Sequence, residues 1–125
     1  MAKSDTSHHD ERIANMVFDS ILPHNISKVE KKGRTQEEMY QVMEWLTGYN
    51  KDQVLTHAEN KTNFRDFFAG CTLNPNAHLI TGVICGYRVE EITNETTRNS
   101  RYLDKLIDEL ACGKKMESIL RKPKA

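Results

Sequence analysis

Asn74-Pro75-Asn76-Ala77-His78-Leu79-Ile80-Thr81-Gly82-Val83-Ile84-Cys85-Gly86-Tyr87-Arg88-Val89-Glu90-Glu91-Ile92 is the stretch on which the fold class turns. It holds two of the six glycines and one of the three cysteines, and small residues rather than charges interrupt its apolar run. Ile80, Val83, Ile84 and Val89 are β-branched, which taken alone suits a strand. A second stretch tips the reading the other way. Laying Gly86-Tyr87 on Gly48-Tyr49 puts Val42, Trp45 and Leu46 on Ile80, Val83 and Ile84, apolar at i, i+3 and i+4 in both places. Such a stripe, closed by glycine and tyrosine and followed by a charged amphipathic segment, reads as helix, turn and helix. The chain is therefore expected to use a helix, Gly-Tyr turn, helix unit twice.

Outward from this centre, every segment that can be phased is helical. Thr35-Gln36-Glu37-Glu38 is a capping box, and Met39, Val42, Met43 and Leu46 continue from it at i, i+3, i+4 and i+7 until Gly48. Asn50 is placed to cap a short helix bearing Val54, Leu55 and Ala58. Thr62 or Asn63 can cap another, in which Phe64, Phe67 and Phe68 share one face and belong in a core. Toward the N-terminus, Ile13, Met16, Val17 and Ile21 form a helical face. Leu22-Pro23 interrupts it, and Pro23 opens a helix running to about Lys32. Toward the C-terminus, Asn94 caps the longest helix, Glu95 to about Cys112, with Leu103, Leu106, Ile107 and Leu110 on one face. Met116, Ile119 and Leu120 mark a final turn or two. The expected class is all-α, an orthogonal bundle of about seven short helices. If residues 79–89 form a strand instead, the class becomes α+β.

A chain of 125 residues is one domain with room for an ordinary core. Residues 1–9 read as a disordered lead-in with a solvated His8-His9 pair, 10–121 as the domain and 122–125 as a basic tail. The 18 basic and 18 acidic side chains cancel, so no global field draws the molecule to nucleic acid or to an anionic membrane. Locally, residues 35–112 are acidic and 113–125 basic. Three cysteines, Cys71, Cys85 and Cys112, without C-x-x-C spacing, and no apolar leader, point to a reducing cytoplasm.

With those residues in hand a resemblance can be named. Pro23-His24, Lys31-Lys32-Gly33-Arg34-Thr35, Trp45-Leu46-Thr47-Gly48-Tyr49, Asn74-Pro75-Asn76, the run Leu79 to Ile92 and Arg101-Tyr102-Leu103-Asp104-Lys105-Leu106 together resemble the signature of the bacterial domain-of-unknown-function 2200 family, over about residues 11–121. The resemblance implies a small, stand-alone, mostly helical bacterial protein. It implies no activity and carries over no catalytic or binding residue. Members more often have aspartate where this chain has Asn50, and residues 51–73 carry little of the signature.

Function is read from residue types. Trp45, Tyr49, Tyr87, Arg88, Arg101 and Tyr102 are amphipathic side chains of the kind that anchor interfaces. They make protein interaction or self-association the leading expectation, although Tyr49 and Tyr87 could simply plug the two corners. Arg88 and Arg101, with Glu90, Glu91 and Asp104 near in sequence, are expected to form ion pairs locking the central turn to the long helix. The alternative is a guanidinium fork offered to a carboxylate or phosphate. Nucleic-acid binding is disfavoured, because the helix expected after Gly86 carries Glu90-Glu91. Its footprint would be Lys28 to Arg34 and the tail with Lys114, Lys115, Arg121, Lys122 and Lys124. An enzyme would have to assemble its chemistry from His24, His78, Cys85, Arg88, Glu90, Glu91, Arg101 and Asp104, using the Tyr87/Arg88/Arg101 region. Adjacent Glu90 and Glu91 point about 100° apart on a helix and cannot form a dyad. Cys85 before a helix-ending glycine would be a poor nucleophile. No residue spacing suggests a metal or a cofactor.

Overall fold

Thr35 starts the longest helix of the N-terminal half. The computed structural model of the chain describes residues 7–84 and 86–121. Thr35 is extended, its hydroxyl accepts from the Glu38 amide at 3.1 Å, and the Glu38 carboxylate accepts from the Thr35 amide at 3.0 Å. Helix α3 (Gln36–Thr47) follows and ends at Gly48, which is left-handed with φ 78°. Its C-terminal carbonyls are met by a later segment: the amides of Thr72 and Asn74 donate to the carbonyls of Thr47 and Leu46. After Tyr49, Asn50 and Gln53 form a second capping box and start α4 (Lys51–Glu59). Asn63 caps α5 (Phe64–Ala69). The first helix, Gly-Tyr, helix unit is thus as the sequence predicts.

The N-terminal helix α1 (Ser7–Asn15) begins before the expected boundary, so His8 and His9 are helical, while residues 1–6 and the tail 122–125 lie outside the described residues. It also stops before Met16. Val17 and Phe18 leave the helix to bridge residues 62–64, with Phe18 donating to Thr62 and Phe64 donating to Met16. The stripe from Ile13 to Ile21 is therefore split between α1, a 3₁₀ turn at Phe18–Ser20 and the lead into α2 (Leu22–Lys31), where Pro23 takes the first turn. Helix α6 (Glu95–Ala111), capped by Asn94, lies across the molecule against α1, α2, α3 and α5. Its Leu103, Leu106, Ile107 and Leu110 are fully buried, and α7 (Met116–Ile119) folds back onto it.

Residues 74–92 differ from the helical expectation. They form a 3₁₀ turn (Ala77–Leu79), an antiparallel hairpin of β1 (Val83–Ile84) and β2 (Tyr87–Arg88), and a second 3₁₀ turn (Val89–Glu91). Gly82 and Gly86 sit at φ 104° and 83°, conformations an α-helix cannot contain. The Gly82 carbonyl accepts from the Val89 amide, closing the hairpin instead of a helical turn. Of the three aligned apolar positions only Ile80 is fully buried, while Val83 is 53 % exposed. The second Gly-Tyr pair is thus at a hairpin, not between helices. The architecture remains a bundle of seven α-helices among the described residues, with this one small sheet. No helix of the described residues is long and apolar enough to cross a membrane.

The Lys28 to Arg34 cluster is largely used internally. Arg34 donates to Glu38 through Nε and Nη2, and through Nη1 to the carbonyls of Lys114 at 2.7 Å and Leu110 at 3.3 Å, satisfying the end of α6. Lys28 pairs with Asp108. The Arg34 hydrogen bond, helped by the Thr35 amide, holds the Glu38 carboxyl at about 2. A carboxyl depressed in the fold contributes stability above its ordinary value of 4.5, lost as pH falls from there toward 2. Glu38→Gln should therefore shrink the loss of unfolding free energy between pH 5 and 2.5 by on the order of 2 kcal/mol, measured by urea titration. An unchanged acid limb would show that the Arg34 bridge is not the cause.

Candidate functional site

Three separate parts of the chain meet at the Tyr87 ring. The hairpin is anchored at its two ends by fully buried Ile80 and Val89, and the Gly82 amide donates to Glu90 at 3.0 Å. Glu90's own backbone and the Gly82 amide lower its carboxyl from the ordinary value. Between those anchors the hairpin leaves Tyr87 48 % and Val83 53 % exposed, Tyr87 across from Ile84 and Val83 across from Arg88. From α1, His9 stacks on the Tyr87 ring with centroids 5.9 Å apart. From α6, the Arg101 guanidinium lies 5.7 Å from the ring centroid, within cation–π range. Lys105, one turn further along α6, donates to the Val83 carbonyl at 3.4 Å.

Below the ring is a cleft of about 220 Å³, lined among others by Asp10, Tyr87, Arg88, Glu91, Thr97 and Arg101. Asn94 positions its helical wall by capping α6 through the Thr97 amide, and the Thr97 hydroxyl donates to Asp10 at 2.7 Å, tying α1 to the same wall. Arg101 is 15 % exposed and donates through Nη1 to Asp104 at 3.1 Å, while its buried Nε has no hydrogen-bond partner. Burial raises the Asp104 carboxyl against the opposing pull of Arg101. The cleft thus sets both signs of charge beside an exposed aromatic ring.

The six residues singled out from sequence divide. Tyr87, Arg88 and Arg101 line this one cleft. Tyr49 and Tyr102 are buried in the core, and Trp45 is half-buried against it. Tyr49 takes the corner role, its hydroxyl donating to the Phe67 carbonyl at 2.7 Å. The expected ion pairs form, but locally: Arg88 with Glu90 at 3.6 Å and Arg101 with Asp104 at 3.1 Å. Neither crosses from the turn to α6, because the hairpin turns Arg88 back toward its own following residues. The Tyr87–Arg101 and Lys105–Val83 contacts make that link instead.

Asp10 and Thr97 escaped the sequence reading and His9 was not among its candidates, whereas Glu91 was read as an ion-pair partner for the arginines. His9 sat in what read as a solvated lead-in, and only helical phasing carried back from Ile13 would have placed it on a folded element. Among the other chemical candidates, His24 is exposed, and His78 is exposed with its Nδ1 2.8 Å from the Pro75 carbonyl. Cys85 lies outside the described residues. Among the described residues no three His, Cys, Asp or Glu side chains group as a metal would require.

The fold and the sequence both have relatives. A solved structure, the crystal structure of uncharacterized protein SP1917, is 40 % identical with a TM-score of 0.81, covering 88 % of this chain and 91 % of that one. No curated protein matches the chain. The family model described as uncharacterized protein conserved in bacteria, DUF2200, matches residues 12–121, and the chain belongs to that family.

Proposed function

We propose that this chain is a protein-interaction module that meets its partner through the β1–β2 hairpin and the cleft beneath it, and that it works in the cytoplasm. The observation that carries the reading is the exposure of Val83 and Tyr87, one on each strand of the hairpin. A tyrosine and a branched aliphatic beside arginines form the kind of patch that becomes the buried centre of an interface. The basic groups that a nucleic acid would need offer less support. Arg34, Lys28 and Arg121 all have internal acidic or carbonyl partners.

A photo-crosslinking residue installed at position 87 tests this, with the same residue at Leu55, a partly exposed apolar position on α4, as control. The expected result is one discrete adduct from position 87, absent from position 55 and lost when Val83→Asp is added. An adduct of twice the chain's 14.4 kDa identifies a second copy as the partner, and any other mass a different protein. Equal labelling from both positions, or none from 87, overturns the reading.

A further inference from the structure

Arg101 separates two cavities that share it and His9 in their linings. One is the 220 Å³ cleft under Tyr87, and the other, of about 250 Å³, is lined by Ile13, Met16, Ile21 and Phe64 with Asp104. A guanidinium has five N–H donors in a fixed plane. Asp104 engages Nη1. The opposite edge, Nε with Nη2, has no hydrogen bond among the described residues, and Nε is buried. That edge is the side-on fork whose two parallel N–H bonds match the two oxygens of a carboxylate. A buried donor left without an acceptor is uncommon, and on a residue that lines a cleft it points to an absent ligand oxygen.

The opposite sign of charge is present in the same cleft. Glu91 lines it and has no ion pair among the described residues, whereas the neighbouring Glu90 is already engaged by Arg88 and the Gly82 amide. Ile92 and the Tyr87 ring supply apolar surface between. A simple anion would meet the Glu91 charge and a simple cation the Arg101 charge, each unfavourably. A ligand carrying both signs meets neither. We propose that the cleft is a binding site for a small zwitterion of the α-amino acid class, its carboxylate on the Arg101 fork and its ammonium on Glu91. The same guanidinium lies over the Tyr87 ring, 5.7 Å from the ring centroid, so the carboxylate is received in the guanidinium plane beside that ring. The inference does not depend on the hairpin meeting a protein partner.

Isothermal titration of the full chain with each proteinogenic amino acid, and with acetate and methylamine as single-charge probes, tests it. At least one amino acid is expected to bind about tenfold or more tighter than either probe. Glu91→Gln, at an exposed position, should weaken that amino acid by about tenfold while leaving the melting temperature unchanged. Arg101→Lys keeps the charge, lacks the fork and should weaken it comparably. If Arg101→Lys does not fold, Glu91→Gln decides alone. No amino acid binding tighter than acetate or methylamine, or one bound unchanged by Glu91→Gln, overturns the proposal.

Discussion

Glu109→Ala should lower the unfolding free energy by about 3–5 kcal/mol, the range for stranding one member of a buried ion pair. Glu109 lies on the long helix α6 with its side chain only 5 % exposed. Arg121 closes on it from beyond α7 with two parallel bonds, Nη1 to Oε1 and Nη2 to Oε2, each 2.7 Å, and Nη1 also donates to the Ile119 carbonyl. Lys114 adds a longer contact at 3.5 Å. The pair is what holds the chain's last described turn against α6, alongside fully buried Ile119. Removing the carboxylate leaves a guanidinium, itself 17 % exposed, with the Ile119 carbonyl as its one remaining acceptor among the described residues. The cost comes from that orphaned charge more than from the lost attraction. A double variant, Glu109→Leu with Arg121→Met, replaces the pair by apolar groups of similar size and should recover most of the loss. Urea unfolding of the two single variants and the double one separates the cases: equal losses in the single and double variants would show that the pair itself, and not its desolvation, supplies the stability.

Arg121 also shows what a linear reading of charge misses. By composition it belongs to a basic C-terminal run, the natural place to look for a phosphate-binding tail. Its partner stands twelve residues earlier on the buried side of a helix, where the apolar periodicity shows Leu106 and Leu110 but gives no reason to expect a glutamate between them. Arg34 was masked in the same way, since its carbonyl partners at Leu110 and Lys114 are remote in sequence. Helix starts were legible because the information is local. Thr35 with Glu38, Asn50 with Gln53, Asn63 and Asn94 each satisfy an amide within three residues. The core faces of α3 and α6 were legible for the same reason, because one helical period fixes them.

The hairpin was not legible, because apolar spacing at i, i+3 and i+4 over five residues does not separate one helical turn from two short strands. The β-branched content of Ile80, Val83, Ile84 and Val89 and the two glycines were the correct signal there. Alignment with the Gly48-Tyr49 unit, whose glycine ends a capped helix of twelve residues, drew the reading away from it. The cleft was half legible. Arg88, Tyr87 and Arg101 were chosen for their chemistry, but His9 and Asp10 come from the far end of the chain, and no pattern within α1 announces which face meets Tyr87.

Phe67→Ala should cost about 3–5 kcal/mol and alter the pH dependence of stability as well. Phe67 is fully buried, stacked on Phe18 at 4.2 Å and within 5.0–5.2 Å of the rings of Tyr49, Phe68 and His57. Its backbone carbonyl also accepts the Tyr49 hydroxyl, so the side chain joins the α3–α4 corner to α5 and to the turn before α2. His57, whose Nδ1 lies 3.0 Å from the Thr62 hydroxyl, is pushed below its ordinary value of 6.5 by burial in this cluster. The unfolded chain then takes up the proton more readily than the fold. The stability carried by neutral His57 is complete above about pH 6.5 and is lost as pH falls below it toward the lowered folded value. Truncating Phe67 removes the ring that shields the imidazole on one side, lets water reach it and returns its titration toward 6.5. The variant should be less stable everywhere, yet its stability should fall less steeply than the wild type's between pH 6.5 and 5. His57→Gln, with no proton to gain, should show the same flattening at much smaller cost. If Phe67→Ala and wild type lose stability in parallel across that window while His57→Gln is flat, the imidazole is shielded by Tyr49 and Thr62 and not by the phenylalanine.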